Sequence, residues 1–506
     1  MSSQAIPLPE AEGAGAALER ALILATCTMV TFLYAMTVTI ANVSLPQMQG
    51  ALSASPDQIA WVVTSNIVAT AVMTPLAGWL TTRFGRRRLC NACVLGFGIA
   101  SLGCGLADSL TELVLFRALQ GAIGAPLVPL SQAIVLDTYA KRHHGVAIAL
   151  FGVGSVLGPV VGPVLGGWLA ETYNWRWVFY MIVPFAVISL IGSMAFIHDR
   201  EPATRLRLDW LGFVLLSAAL ASTQLMLDRG ERADWFDSAE IVTWATLAGL
   251  ALYAFIAHSA TAERPFLDPR LFADRNFSVG IVLIFVFGML NITPMTLLPP
   301  LLQGVSGYPD SVIGFVLGAR GLGTMAGFFL MIFANRLDPR AMIVLGFLLQ
   351  AVAGWQLTQL DVSPSTSDVF WPMALQGLGV GVLWVPITIV SFSTLPSAYV
   401  SEGSAVYHMV RNIGSSIHIS LSIALVVHMT RTGYAELAER VTPYSGSLSM
   451  PWVTGAWNLE DARGLAAVSR EMARQAAMIG YLDAFVFFVA TSLVVLPLVL
   501  LIRVKR

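Results

Sequence analysis

The chain of 506 residues is 56% hydrophobic and only 12% charged, with a mean hydropathy of +0.73. A soluble domain carries roughly twice that charge, so a water-soluble globule is excluded. The formal net charge of −1 argues against a nucleic-acid partner. Apolar runs of about 20 residues recur from Ala21 to Leu501, the length that crosses a lipid bilayer.

The first eighteen residues are small, polar and acidic, with no basic leader region, and residues 1–20 read as a cytoplasmic tail. The following apolar run is too long for a signal peptide and is expected to be retained as the first span. Hydropathy then places fourteen spans at 21–45, 58–81, 89–107, 111–136, 145–170, 177–197, 209–228, 240–260, 277–301, 311–334, 340–360, 369–394, 402–428 and 478–502. The fold class is therefore all-α and polytopic. Cys27, Cys90, Cys93 and Cys104 fall in or beside these spans. A lone CxxC lacks the second pair that a zinc site needs, so buried thiols and no metal are expected.

The fifth span has the most unusual composition. Gly154, Gly158, Gly162 and Gly166 recur every four residues, Pro159 and Pro163 follow two of them, and Gly167 doubles the last. Four residues nearly close a helical turn, so the glycines form one smooth ridge. In water glycine costs about 1 kcal/mol and proline about 3 kcal/mol per interior helix position. In lipid the backbone must bond to itself, and a glycine ridge admits a second helix almost backbone to backbone. The expectation is a close-packed, bendable helix pair, with static packing as the plain alternative.

Loop charge sorts into two sets. One holds Arg83, Arg86, Arg87 and Arg88, then Lys141 and Arg142, then Arg200, Arg205 and Arg207, Arg264, Arg270 and Arg275, and finally Arg336 and Arg340. The alternating short loops hold little beyond Arg176, Arg229 and Arg232. The positive-inside rule makes the first set cytoplasmic and, with an even span number, places both termini inside. One long outer loop is expected at about Thr430–Gln475, with a short amphipathic helix near Leu459–Met478.

Internal repetition organises the rest. LPQMQG…SPDQIAW from Leu45 returns as LPPLLQG…YPDSVIGF from Leu298, and Ala118–Gly121 returns as Ala374–Gly377, both ALQG. GWLTTRFGRRR after span 2 has a worn echo in FANRLDPR after span 10. The three pairs share an offset of about 254 residues. The chain therefore reads as a tail (1–20), a six-span half (21–197), a linker with two inserted spans (198–276), a second six-span half with the outer loop (277–502) and a short tail (503–506). Two embedded repeats suggest rocking-type transport with a site at their interface.

These motifs resemble the major facilitator superfamily, in particular its fourteen-span drug/proton antiporter branch of the EmrB/QacA type. Gly78-x-Leu80…Arg83-x-Gly85-Arg86-Arg87 is similar to the superfamily's loop 2–3 signature, a cytoplasmic gating loop. Arg117-Ala-Leu-Gln120-Gly121 resembles the span 4 motif, whose arginine is linked in the family to proton coupling. Gly154–Gly167 resembles the antiporter motif of span 5, and Thr39–Pro46 the end of the span 1 motif. Asp209-Trp210-x-Gly212, Leu227–Gly230 and Asp234–Phe236 are similar to the inserted span 7 region. Two positions depart from the pattern. Thr37 stands where the span 1 motif has an aspartate, removing a candidate proton carrier. Thr82 stands where the loop motif has one, removing a partner for the basic loop.

Ionisable residues inside spans are expensive and mark function by default. Arg117 keeps its charge at any relevant pH and so acts on neighbours, unless it snorkels to the headgroups. In the second half Arg320, His408, Arg411 and His418 are embedded, while Asp483 is the clearest embedded acid and Glu402 sits at the inner end of span 13. His408 and Arg411, three apart, share a helix face. His408 or Asp483 is expected to carry the coupling proton, with an Arg411–Asp483 ion pair as the structural alternative. Thr37, Asn66, Gln120, Asn291, Arg320 and Gln376 are candidate cavity positions, with Trp61, Met289 and Trp384 offering soft apolar surface.

The resulting expectation is an inner-membrane secondary transporter exporting amphipathic organic compounds in exchange for protons. It needs no cofactor, since no ATP-site motif is present and a gradient supplies the energy. An exporter of anionic amphiphiles (a fatty acid, a siderophore or an aromatic acid), with altered or lost proton coupling, is the close alternative. A non-transporting receptor or scaffold is a remote one, and no catalytic constellation suggests an enzyme. The resemblance further implies a periplasmic adaptor and an outer-membrane channel as possible partners.

Overall fold

The computed structural model describes residues 14–198, 208–263, 265–334, 337–441, 457 and 461–503. Arg200, Arg205, Arg207, Arg264 and Arg336 of the basic loops lie outside these residues, as do most of the expected outer loop and the last three positions. Among the described residues there is no strand, and fourteen helices are long and apolar enough to cross a membrane. They are α1 (Ala14–Val43), α2 (Gln58–Phe84), α3 (Arg86–Leu106), α4 (Leu110–Thr138), α5 (Lys141–Thr172), α6 (Trp177–Phe196), α7 (Trp210–Arg229), α8 (Ala239–Thr261), α9 (Arg275–Val305), α10 (Val312–Phe333), α11 (Pro339–Leu357), α12 (Thr366–Ser393), α13 (Val400–Arg440) and α14 (Ala462–Leu501). Each expected apolar window has its helix.

Several starts are written into short polar signals. Ser55 and Gln58 form a capping box ahead of α2, and Ser365 and Asp368 do the same for α12. Gly85 breaks α2 from α3 at φ 83°, a left-handed conformation that costs glycine nothing. The four cysteines are buried and free.

The outer loop is the main correction. α13 has 41 residues and continues helical to Arg440, while the helix that opens α14 already begins at Ala462. The segment expected as a separate amphipathic helix near Leu459–Met478 is, from Ala462 onward, the continuous start of α14. At 1.5 Å per residue α13 is about 60 Å long, against a hydrocarbon thickness of about 30 Å. The two helices leave the apolar layer together. Tyr434 Oη lies 3.0 Å from Ser469 Oγ, and Gly433 faces Ala476. Hydropathy sees only the apolar part, so it stops each span where the sequence turns polar.

Packing follows the repeat. α1 lies on α5 and α9 on α13; α2 on α4 and α10 on α12; α3 on α4 and α6, and α11 on α12 and α14. The halves meet through another symmetric set, with α5 against α10 and α12, and α13 against α2 and α4. One asymmetry stands out: α13 reaches the Thr74–Phe84 end of α2, whereas the preceding part of α2 meets the inserted helix α7. Asp228 of α7 accepts a hydrogen bond from Thr64 of α2, and the Arg229 guanidinium lies 5.5 Å from the Trp61 ring centre. On the other side Ser416 Oγ donates to Gln224 at 2.9 Å and Ser420 Oγ to the Leu227 carbonyl at 2.8 Å. Thus α7 is clipped to both halves, and α8 packs outside it.

Asp209 ties the inserted pair to the chain that follows. It caps α7 through Gly212 N–H at 2.9 Å, accepts from Phe266 N–H at 3.0 Å and meets His258 Nε2 at 2.9 Å. Burial works to raise this carboxyl, but those hydrogen bonds outweigh it and hold it below the usual range. A depressed carboxylate contributes stability above its unfolded pKa and loses it as pH falls through the folded one. Asp209→Ala is therefore expected to lower thermal stability at neutral pH by about 1 kcal/mol, as for a lost helix cap. Below about pH 4 the difference from the parent protein should shrink, as thermal unfolding in detergent across pH would record.

Candidate functional site

Two buried guanidinium networks sit at matching places in the two halves. In the first, Arg117 of α4 is fully buried. Its Nε donates to the Val62 carbonyl at 3.0 Å and its Nη1 to Gln120 Oε1 at 2.6 Å. Gln120 Nε2 passes on to Ser101 Oγ at 2.6 Å, and Asn66 Nδ2 donates to the Arg117 carbonyl at 3.0 Å. Arg117 does not snorkel: neutral oxygens hold its charge inside. In the second network Arg320 of α10 donates from Nε to Gln376 Oε1 at 2.8 Å and from Nη2 to both Asn291 oxygens at 2.6 Å. Gln376 and Gln350 are joined through Nε2 and Oε1 at 3.1 Å.

The two networks are related by the ALQG repeat. Gly121 presses on the Asn66 carbonyl, and Gly377 presses in the same way on the Arg320 carbonyl, so neither has room for a Cβ. Arg320 thus occupies the position of Asn66, on the equivalent helix, while Met373 replaces Arg117. The cation has changed helix between the halves, yet in both it binds the repeat's glutamine. Asn66, Gln120, Asn291 and Gln376, four of the expected cavity positions, are all engaged in these networks. Thr37, a fifth, is buried and donates to the Leu33 carbonyl of its own helix at 2.8 Å.

Removing a donor from such a network strands its acceptors, at about 1–3 kcal/mol for each buried group left unpaired. Arg320→Met, which keeps much of the volume, is expected to lower thermal stability by at least that amount. Tryptophan-monitored unfolding in detergent measures it, and an unchanged midpoint would contradict the network's role.

His408 and Arg411 lie where the halves meet. His408 Nε2 bonds Gln132 Oε1 of α4, and its ring centre is 5.9 Å from that of Trp384 of α12. The Arg411 guanidinium lies 5.4 Å from the Trp384 ring centre, a cation–π distance. The alternative Arg411–Asp483 ion pair is not formed. Arg411 is turned onto α12, and its hydrogen bonds go to Asn412 Oδ1 at 3.0 and 3.3 Å. Asp483 is half-buried on α14 and has no hydrogen bond or ion pair among the described residues. His418 donates or accepts at Nδ1 with Thr293 Oγ1 at 2.8 Å and stacks on Phe487, ring centres 4.7 Å apart.

At the end of the bundle carrying Arg86 to Arg88, contacts cross between the halves. Gly78 packs on the Glu402 backbone, Ser404 Oγ donates to the Pro129 carbonyl at 2.9 Å, and Lys141 Nζ to the Ser393 carbonyl at 2.7 Å. Glu402 in turn accepts from Asp268 N–H at 2.8 Å. Arg86 pairs with Asp137 of α4, so the basic loop has a carboxylate partner despite Thr82. Arg87 Nη2 donates to the Met194 carbonyl at 2.7 Å, and Arg83 is exposed.

The glycine ridge of α5 lies along α1. Gly154 abuts the Thr28 carbonyl, Gly158 the backbone of Ala35 and Met36, and Gly166 the side chain of Ile40. The helix runs unbroken past Pro159 and Pro163 from His144 to Thr172. Gly162 is buried and Gly167 half-buried beside them.

This architecture has known counterparts. Residues 27–418 match the Major Facilitator Superfamily. The chain belongs to that superfamily. It is 33% identical to the fatty acid resistance protein FarB of Neisseria gonorrhoeae over 97% of each chain. It is 33% identical to the multidrug export protein EmrB of Escherichia coli K12 over 83% of this chain and 82% of that one. Among solved structures, the human organic anion transporter MFSD10 superposes with a TM-score of 0.61 at 14% identity, covering 94% of this chain and 99% of its own. The proton:xylose symporter XylE does so with 0.59 at 14% identity, covering 92% and 99%. These last two show the shared fold. The protein is a multi-pass membrane transporter of the EmrB type.

Proposed function

We propose that this transporter exports amphipathic organic compounds from the bacterial cytoplasm by alternating access, in exchange for protons. The carrying observation is the seal made by Gly78–Glu402, Ser404–Pro129 and Lys141–Ser393 at the basic end, where two six-helix repeats close on each other. By the positive-inside rule that end is cytoplasmic, as are both termini, so the conformation is closed to the cell interior. Opening it by rocking α2 and α4 away from α13 completes the transport cycle. The relatives named for multidrug export and for fatty acid resistance support an amphipathic cargo.

Energy comes from the proton gradient, with no cofactor and no chemical conversion of the cargo; the protein acts as a carrier rather than an enzyme. His408 and Asp483 are the titratable groups proposed to carry the proton, with Arg117 setting the local field. The α5 glycines form the packing seam and the Gly78–Arg87 loop the gate. The paired outer ends of α13 and α14 offer a docking surface for a periplasmic adaptor leading to an outer-membrane channel. Co-purification with and without that extension tests it.

Everted membrane vesicles energised to an acid interior, with a fluorescent pH probe inside, test the whole reading. Adding a cargo should release protons in the parent protein. His408→Ala and Asp483→Asn together should abolish that release, and its full persistence in both single variants would remove these residues from the relay.

A further inference from the structure

Three buried or half-buried guanidiniums lie within the bundle, and their surroundings differ. Arg117 and Arg320 are satisfied by carbonyl and amide oxygens from their own halves. Arg411 is not. Its hydrogen bonds go only to the side chain of its neighbour in sequence, and its Nη1 donates to nothing among the described residues. It is half-buried rather than enclosed, and its face rests on the Trp384 ring. An intramembrane cation held so loosely is expensive unless something pairs with it.

The groups around it lack partners in the same way. Trp384 Nε1, Gln132 Nε2 and His408 Nδ1 are buried without a hydrogen bond, in residues that are 5%, 0% and 1% exposed. They are contiguous: Gln132 bonds His408, His408 lies beside Trp384, and Trp384 underlies Arg411. Native interiors satisfy nearly all buried polar groups, so three orphans next to one loosely held guanidinium point to a missing ligand. The set is mostly donors (guanidinium, indole N–H and amide NH2), and no carboxylate forms an ion pair with Arg411 among the described residues. A cation would be repelled there and a neutral head would leave Arg411 unpaired, whereas a carboxylate matches the guanidinium fork. Phe287, with its ring centre 5.5 Å from that of Trp384, and Tyr407 at 6.1 Å supply apolar surface beside the donors for a tail.

We propose that Arg411, Trp384 and Gln132 form the head-group site of this transporter and select organic carboxylates with an apolar tail. The assignment rests on the export reading above and deepens it by naming the charge class of the cargo. Since Gln132 comes from α4 and the other two from α12 and α13, the bound carboxylate bridges the two halves.

Three probes sharing a twelve-carbon tail separate the possibilities: dodecanoate, dodecanol and dodecyltrimethylammonium. Binding of each is measured by scintillation proximity on full-length protein in phosphatidylcholine nanodiscs, where dodecanoate is the only anionic amphiphile. Dodecanoate is expected to bind at least ten-fold tighter than the other two. Arg411→Gln should erase that preference while changing dodecanol affinity far less than dodecanoate affinity, Arg411→Lys should restore part of it, and Trp384→Phe should weaken dodecanoate a few-fold. Equal affinity of the three heads for the parent protein, or an undiminished preference in Arg411→Gln, overturns the assignment. If Arg411→Gln does not fold, the head-group order in the parent and the Trp384→Phe result decide. In a separate flux assay in phosphatidylcholine proteoliposomes, transport of the ammonium probe without carboxylate preference would defeat this site alone. Absence of any transport would defeat the export reading instead.

Discussion

Gly158→Leu is expected to remove most of the folded protein from the membrane. A Cβ at Gly158 would stand 2.6 Å from the Met36 backbone nitrogen and 2.8 Å from the Ala35 Cβ, so the clash is with main chain on α1 and no side chain can turn away. Overpacking a tight interior costs about 1–3 kcal/mol where neighbours can shift. Here a whole helix must move, and Gly154 and Gly166 hold it one turn before and two turns after. The result belongs at or above the upper end of that range. Fluorescence-detected size exclusion of a tagged protein measures it, with Gly249→Leu as control, since nothing lies within 4 Å of a Cβ there. A monodisperse Gly158→Leu with an unchanged melting point would show that α1 and α5 are not held at backbone distance.

Gly78→Leu should instead leave the fold intact and shift its conformation. A Cβ at Gly78 would lie 2.8 Å from Glu402 Cα, in a contact that the proposed opening of the basic end would break. The strain falls on one state of a two-state equilibrium, so it changes populations rather than folding. A bias of about 1–3 kcal/mol multiplies the open fraction about 5- to 150-fold. Ser404, buried against the Pro129 carbonyl, is the place to read it. Because all four native cysteines are buried, a Ser404→Cys thiol gives a clean signal. It should be nearly inert in the parent background and react at least ten-fold faster with a membrane-permeant maleimide beside Gly78→Leu, while export falls. Equal reactivity in the two backgrounds would show that Gly78 does not seal the interface.

What could be read from the sequence was what local composition encodes. Fourteen spans follow from apolar length alone, and the ALQG pair foretold two halves whose glycines press on equivalent carbonyls. The glycine ridge announced a close helix partner, though not that the partner is α1. Contacts between distant spans left no such trace. Arg411 and Asp483, 72 positions apart, were paired on charge alone; the helix rotation that turns Arg411 onto Trp384 is set by packing. The clips from α7 to both halves use Thr64, Gln224 and Ser416, polar residues with no periodic signature. The outward run of α13 was missed for a different reason. Its sequence near Tyr434–Arg440, YAELAER, is a good helix former, but a hydropathy window registers only transfer to lipid.

That outward run also has a mechanical meaning. α13 is one uninterrupted rod from Val400, at the seal, to Arg440, far beyond the opposite face. A rigid rod that tilts about a pivot near mid-membrane displaces its far tip in proportion to the distance from that pivot. With α14 bound alongside through Tyr434–Ser469, the projecting tip is the end of a braced lever arm. In the proposed cycle, angstrom-scale movements at Glu402 would be converted into larger sideways swings outside the bilayer. The position of the tip would then report whether the basic end of the bundle is shut.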